Sequence, residues 1–294
     1  MKKKNLKTLA ACLCLSYTLL AGTLPTQAAA RTSVSQTAKS SSTVTNKKTH
    51  SGKGQASSSS SGTWKTIKGC HYYYNARGKK IKGKVKIGSR YYFFDKNGIQ
   101  RYGWKKIKNN YYFFRISTGT TGAYMLTSTT INGIALDASG HASKSGSNLR
   151  KLKLMTEANK IVEKISRPGM NKMQRLRASF DYVKKQYTYY CWREFRNTQD
   201  WEKDFAEDMF FRGGRGDCVS YAAAFAYLAN AVGMKKVYVI CSSGHGWAEI
   251  GGKVYDPDWA LVSSVDSYFA MSYDLSGVNG RPMYRGNRLY VKKV

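Results

Sequence analysis

The sequence predicts an α+β protein in which a series of β-hairpin repeats precedes a mixed domain. Aromatic clusters recur about every 20 residues, at 72–74, 91–94 and 111–114, and a glycine follows each of them. Farther along, apolar residues recur at helical spacing within 155–165 and 171–186, and strand-like runs of Val, Ile and Tyr follow. Helices first and a sheet afterwards are typical of the α+β class.

Residues 1–30 are predicted to be a secretory signal peptide. A basic stretch, Met1 to Lys7, precedes an apolar one, Leu9 to Leu24, and Ala28-Ala29-Ala30 supplies an A-x-A cleavage site. The apolar stretch is shorter than the roughly 20 residues of a spanning helix, so we expect no stable membrane insertion after cleavage. Residues 31–62 follow as a disordered linker of Ser, Thr, Lys and Gly. We therefore expect a secreted protein at the cell wall or cell surface.

Positive charge is concentrated in the N-terminal half of the chain. Of the 49 basic and 17 acidic residues, 25 basic and two acidic lie in residues 1–149, which leaves 24 and 15 for the remainder. Such an imbalance favours a polyanionic partner. Export argues against nucleic acid as that partner, so an anionic cell wall is the expected surface.

Residues 63–143 are predicted to form short β-hairpins. Asp95-Lys96-Asn97-Gly98 is typical of a turn with glycine in the left-handed region. Trp64 and Trp104 open two of the units, whereas Lys84 stands where a tryptophan would open the unit between them.

This W…YYF…G pattern resembles the wall-binding repeats of Gram-positive surface proteins, the choline-binding and glucan-binding modules. The resemblance implies that rings of neighbouring hairpins hold choline or sugar, since ring faces attract cations and stack on sugar faces. The expected partner is a wall polymer, whether glycan, teichoic acid or choline. Lys84 departs from the pattern and argues against a complete choline cage. The alternative role of the aromatic rings is structural, namely to pack between neighbouring hairpins. The candidate ligand-binding side chains are Trp64, Tyr73, Tyr92, Trp104 and Tyr112.

Cys218 is predicted to lie at the start of a buried helix. An alanine-rich segment, Val219 to Ala231, has its large apolar residues on one face and ends at Gly233. Asp217 is the expected N-cap, which places Cys218 in the first turn. The unpaired amides and the helix dipole there favour the thiolate, and cysteines in such positions can have pKa values lowered to roughly 3.5 to 7.5. With a base nearby, Cys218 is a candidate nucleophile.

His245 is the only histidine in the C-terminal half of the chain and is the candidate base. Gly251-Gly252 indicates a tight hairpin between two strands. If the residues that flank these glycines pair, then His245, Asp256 and Asp258 project from the same side of the sheet. Either carboxylate would orient the imidazole and stabilise its charged form, and the pairing alone does not choose between them.

These segments resemble the transglutaminase-like superfamily, which shares a fold with papain-type cysteine proteases. Three motifs follow in the family's order: Gly216 to Ala222 leading into the helix, His245 to Glu249, and Asp256-Pro257-Asp258. In that family the residue that opens the last motif is the third member of the triad. The resemblance therefore implies a transglutaminase-like domain over residues 149–294 with Cys218, His245 and Asp256 as catalytic residues, and it implies no metal or organic cofactor.

The expected function is acyl transfer at a protein or peptide amide through a thioester on Cys218. Water as the acceptor gives a protease or amidase, which short bacterial members of the family favour, and an amine gives a cross-link. The alternative is a noncatalytic surface-binding or adhesion protein with an inactive domain of this type. The four cysteines outside the signal peptide are too scattered for a disulfide framework, although a bridge between two of them is left open.

Overall fold

The computed structural model describes residues 62–117, 119–263 and 268–294. The predicted signal peptide and all but the last residue of the predicted linker lie outside the described residues. The described chain combines β-hairpins with a group of helices and an antiparallel sheet, which confirms the α+β class. No helix in these three ranges is long and apolar enough to cross a membrane.

The N-terminal region consists of antiparallel hairpins that follow one another along the chain. Four hairpins each pair two strands that are consecutive in the chain, and one short strand adds to the edge of the second hairpin. The Asp95 carboxylate accepts hydrogen bonds from the amides of Asn97 at 2.8 Å and Ile99 at 3.0 Å, and Gly98 has a φ of +76°, as the turn motif predicted. The strands are β1 (Gly62–Ile67), β2 (Cys70–Asn75), β3 (Gly83–Ile87), β4 (Arg90–Phe94), β5 (Gln100–Arg101), β6 (Gly103–Ile107), β7 (Asn110–Phe114), β8 (Thr129–Ile131) and β9 (Ile134–Leu136).

A helical region follows, interrupted by two short strands. Its elements are α1 (Asn148–Ile165), α2 (Lys172–Gln186), β10 (Thr188–Tyr189), α3 (Trp201–Phe210), β11 (Arg215–Gly216) and α4 (Cys218–Val232). The first helix begins seven residues before the predicted start at Met155, and α3 was not predicted. The second begins where the sequence indicated, because Asn171 and Gln174 form a reciprocal capping box at 2.9 and 2.8 Å.

The C-terminal region contains a four-stranded antiparallel sheet. Its elements are β12 (Val237–Cys241), β13 (Gly246–Ile250), β14 (Lys253–Tyr255), α5 (Trp259–Val262) and β15 (Tyr290–Lys293). The strand order is β14, β13, β12, β15. Ile250 pairs with Lys253 across Gly251-Gly252, which confirms the predicted register of the hairpin. The outer strand β15 was not predicted, and it closes the open edge of β12.

The helix α4 is the centre of the molecule. It contacts α1, α2 and α3 as well as the strands β12 and β13. Consequently every residue from Val219 to Ala229 is buried, including the alanines, whose small side chains let neighbouring elements approach closely. A helix fixed on so many sides holds its first residue, Cys218, in one position.

The third hairpin, β6–β7, packs directly on α1. The Trp104 side chain is only 1% exposed and belongs to the same apolar core as α4. The buried Lys105 side chain forms an ion pair with the half-buried Glu163 of α1. Gly103 lies so close to Asn159 of α1 that a β-carbon there would fall 1.8 Å from its side-chain oxygen. The hairpin region and the helical region therefore share one core at this point.

Candidate active site

Cys218 is the first residue of α4, and its local geometry agrees with the sequence. The Asp217 carboxylate accepts the amide hydrogen of Ser220 at 3.0 Å, as an N-cap does. At the other end the helix stops at Gly233, whose φ of +93° places it in the left-handed region. Cys218 is a half-buried free thiol, as a nucleophilic cysteine must be.

His245 lies immediately before β13, and Asp256 lies immediately after β14. The hairpin register brings them together, so that His245 Nε2 is 2.6 Å from Asp256 Oδ2. Asp256 is fully buried and receives two further hydrogen bonds: the Tyr284 hydroxyl donates to Oδ2 at 2.6 Å, and the Trp259 amide donates to Oδ1 at 3.0 Å. These donors satisfy a carboxylate that burial would otherwise penalise. Asp256 is therefore the carboxylate that orients the imidazole.

Asp258 occupies a different place from Asp256. One side-chain ligand atom from each of Cys218, His245 and Asp258 lies within 4.8 Å of the other two. Both carboxylates that the sequence left as alternatives thus reach the imidazole region, one as a hydrogen-bond partner and the other beside the thiol. A thiol, an imidazole and a carboxylate at this spacing are also ligands that Zn²⁺ prefers, so these three residues are the ones that would hold a metal ion.

The carboxylates around the site raise the pKa of both catalytic candidates. Burial raises the pKa of the Cys218 thiol, and Asp217, Asp258 and Asp256 add to the effect, while the amide of Gly246 opposes it. Burial disfavours the imidazolium of His245, but the attraction of Asp256, Asp258 and Asp217 outweighs it and raises the pKa of the ring. The helix start alone predicted a lowered thiol pKa, and the causes of the difference are first the burial of the thiol and then the cluster of acidic groups.

The acidic groups also affect one another. Burial, with repulsion from Asp256, raises the pKa of Asp258 to about 7, although His245 partly offsets the rise. Asp258 therefore changes charge near neutral pH, beside the candidate nucleophile.

Aromatic side chains flank the thiol on one side. β10 pairs in parallel with β11, which puts Tyr189 opposite Gly216, two residues before Cys218. Tyr189, Tyr190 and Trp192 are 40%, 56% and 50% exposed, which is high for such large side chains. The Trp192 indole donates to the carbonyl of Arg215 at 3.4 Å.

The strand β13 approaches the start of α4 closely, next to Cys218. A β-carbon on Gly246 would lie 2.7 Å from Val219 Cγ2 and 2.8 Å from Val219 Cα. Only glycine permits this distance, and the distance brings the Gly246 amide to the sulfur of Cys218. Gly246 is therefore required by packing, whereas a β-carbon on Gly244 would meet no atom within 4 Å.

The five aromatic candidates of the hairpins lie in three different environments. Trp64 packs edge-on against Tyr73 and Tyr92, with ring centroids 5.2 and 5.1 Å apart, and these two tyrosines are each 4% exposed. Trp104 lies in the main core, where its indole donates to Asn132 at 3.3 Å. Tyr112 is 5% exposed and carries the Lys84 ammonium 4.1 Å above its ring.

Sequence reasoning missed Tyr284, whose side chain is fully buried and donates a hydrogen bond to Asp256. Its ring also packs against Trp247, with the centroids 5.1 Å apart. Tyr284 lies 28 residues after Asp256 in a segment without regular structure, so no periodicity or motif indicates it.

Comparison with known proteins agrees with this division of the chain. Residues 159–262 match the family model of the transglutaminase-like superfamily, and residues 60–98 match that of a choline-binding repeat. No curated protein matches this chain.

Similar solved structures are choline-binding proteins and a wall endolysin. CbpJ from Streptococcus pneumoniae TIGR4 is 22% identical over 27% of this chain and 26% of its own, with a TM-score of 0.24. The choline binding domain of Spr1274 from Streptococcus pneumoniae is 25% identical over 27% of this chain and 92% of its own, also at 0.24. The modular Cpl-1 endolysin, complexed with a peptidoglycan analogue, is 23% identical over 29% of this chain, with a TM-score of 0.25, and this chain spans only 25% of its length. Two segments of this protein are thus similar to two different families, a choline-binding repeat and then a transglutaminase-like core.

Proposed function

We propose that this protein is a cell-wall-associated cysteine hydrolase that cleaves an amide bond through a thioester on Cys218. The observation that carries the proposal is the 2.6 Å contact of His245 Nε2 with the buried Asp256, beside a free thiol at the start of a helix. The match of residues 159–262 to the transglutaminase-like superfamily supports the catalytic part. The choline-binding repeat supports association with the cell wall.

Proton transfer follows from the way His245 is held. Because Nε2 is committed to Asp256, Nδ1 is the nitrogen left to accept the proton of Cys218. The thiolate then attacks the carbonyl carbon, and His245 returns the proton to the amine as the carbon–nitrogen bond breaks. Water, deprotonated by the same imidazole, attacks the thioester and releases the acid and the thiol. Asp256 stabilises the imidazolium in both half-reactions.

Two backbone amides would stabilise the charges that form during attack, that of Cys218 the oxyanion and that of Gly246 the thiolate. The amide of Cys218 lies at the first position of α4 and has no acceptor within the helix. The amide of Gly246 points to the sulfur. Donors fixed at a helix start before the reaction begins need no reorganisation when charge develops on the oxygen.

Alkylation of the cysteines tests the activated pair. Iodoacetamide labelling of each cysteine, followed by peptide mass spectrometry between pH 5 and 10, should show a Cys218 rate that depends on His245 and falls by about tenfold or more in His245→Ala. Cys241 serves as an internal control, because it is buried and its pKa is raised to about 12. Equal rates for Cys218 in both proteins would overturn the enzyme proposal and favour the noncatalytic surface-binding function.

The acceptor is tested with the purified chain and isolated wall peptides. Hydrolysis in ¹⁸O-water should place the heavy oxygen in the newly formed carboxyl group, and Cys218→Ala should abolish the product. Formation of a new amide with an added primary amine, in preference to the acid, would instead assign cross-linking.

A further inference from the structure

Three register positions of the aromatic hairpins, residues 62–117, are equivalent. Trp64 faces Tyr73, Lys84 faces Phe93 and Trp104 faces Phe113. Each of the first-named residues lies three positions before the isoleucine that ends the first strand of its hairpin.

The aromatic rings around these positions already contact other side chains of the chain. Trp64 lies within 5.8 Å of three other aromatic rings, and Trp104 is buried in the main core. At the middle position the Lys84 ammonium lies 4.1 Å from the centroid of Tyr112 and 5.3 Å from that of Tyr91. An ammonium at this distance from two ring faces makes the interaction by which aromatic cages hold choline.

Other cations of the same region cover further rings. Lys80 lies 4.1 Å from the ring of Tyr72, and Arg90 lies 4.1 Å from that of Tyr124. Lys65 lies 4.9 Å from the ring of Tyr74. A quaternary ammonium ligand would have to displace a tethered cation from each of these faces and enter a region that is already positive.

The charge of the aromatic hairpins is not balanced within them. Residues 62–117 contain 15 lysines and arginines and a single acidic residue, Asp95, which is 2.7 Å from Arg101. Twelve of the 15 side chains are exposed. Some recur at equivalent positions: Lys86 faces Tyr91 in the second hairpin and Lys106 faces Tyr111 in the third. A repeating set of exposed cations is complementary to a polymer with repeating negative charge.

We infer that the aromatic hairpins bind a polyanionic wall polymer of repeating phosphodiesters, and that Lys84 has taken the place of choline between Tyr91 and Tyr112. This inference rests on the proposed wall attachment and names its ligand class. Binding then depends on salt, because each lysine that neutralises a phosphate releases counterions.

The test is binding of the full chain to isolated cell walls that carry a polyol-phosphate polymer and no choline. We expect binding to such walls, a loss of at least about tenfold after the phosphodiester polymer is removed with hydrofluoric acid, and competition by poly(glycerol phosphate). Choline chloride should displace the protein no better than sodium chloride of the same concentration. Displacement by choline beyond the salt control, or full binding to extracted walls, would overturn the inference in favour of choline or glycan. Stronger competition by double-stranded DNA than by poly(glycerol phosphate), phosphate for phosphate, would overturn the assignment to a wall polymer.

A matched pair of charge variants locates the surface. The variant carries glutamine at Lys79, Lys82, Lys86 and Lys96, four exposed positions of the aromatic hairpins. The control carries glutamine at Lys153, Lys185, Lys235 and Lys253, four exposed positions of the helical region and the sheet. Each lysine–phosphate contact releases about 0.7 to 0.9 counterions, so the loss of four contacts should make the slope of log affinity against log salt shallower by about 3 in the variant. The slope should stay unchanged in the control. An equal loss in both variants would show that binding follows net charge alone and would overturn the inference.

Failure of the inference is distinguishable from failure of the proposed function. A wild-type chain that binds no wall of any kind contradicts the attachment itself. Cys218 labelling, measured on the same samples, reports whether the catalytic part is folded and activated, and it does not depend on the wall ligand.

Discussion

The Asp258 carboxyl lies beside the Cys218 thiol, and we predict that Asp258→Asn lowers the pH at which Cys218 becomes reactive. The side-chain atoms of the two residues are no more than 4.8 Å apart. Two unit charges at that distance interact by about 3.5 kcal/mol at an effective dielectric constant of about 20, which corresponds to about 2.5 pH units. Asp258 is ionised when the thiol titrates, because its pKa is raised only to about 7. Solvent at this half-exposed site screens part of the repulsion, so we expect a fall of about one to two units.

The assay is the rate of iodoacetamide labelling of Cys218 as a function of pH, in the wild type and in Asp258→Asn. The midpoint of the rise reports the apparent pKa of the thiol. Asp181→Asn is the control, since it removes the same charge from the surface of α2, where Asp181 pairs with Arg177 at 3.2 Å. An unchanged midpoint in Asp258→Asn, or an equal shift in both variants, would refute the electrostatic reasoning.

Three further predictions concern stability. Tyr284→Phe removes a donor from the fully buried Asp256, and we expect a loss of about 1.5 to 3 kcal/mol in urea unfolding; a loss below about 0.5 kcal/mol would contradict the role of this bond. Gly246→Ala pushes β13 away from Val219, so we expect about 1 to 3 kcal/mol of destabilisation together with slower labelling of Cys218. A Cys218 labelling rate equal to that of the wild type would show that the close approach is dispensable. The raised pKa of Asp258 means that the folded protein binds this proton more tightly than the unfolded chain does, so stability should fall as pH rises from about 4 to about 7. At pH 8 we expect Asp258→Asn to be more stable than the wild type by about 2 kcal/mol, and at pH 4 we expect no such gain. Equal unfolding curves of the two proteins at pH 8 would exclude the raised pKa.

Local sequence signals predicted the parts of the site that depend on neighbouring residues. Asp217 and Gly233 mark the two ends of α4 because an N-cap and a left-handed C-terminal residue act within one turn of the helix. The Gly251-Gly252 link fixed the pairing of β13 with β14, and this pairing alone places His245 and both carboxylates on one side.

Features that depend on distant contacts could not be predicted in this way. Tyr284 reaches Asp256 from an irregular segment, and β15 completes the sheet from the C-terminus. The raised pKa of the Cys218 thiol results first from burial and then from three carboxylates gathered from two separate segments, whereas the sequence shows only the helix start. A helix dipole can be inferred from a motif, but the local field at a buried atom requires the tertiary structure.

The contact of the third hairpin with α1 bears on what Cys218 could reach in a wall-attached molecule. Because Trp104 shares a core with α4, and Lys105 is paired with Glu163, the third hairpin is not free to rotate relative to Cys218. A molecule attached to the wall through these hairpins would present Cys218 at one constant angle and height. Substrate choice would then depend on the position and orientation of the bond on the wall surface as well as on the residues around it. Deleting the hairpins would also remove part of the core of this protein.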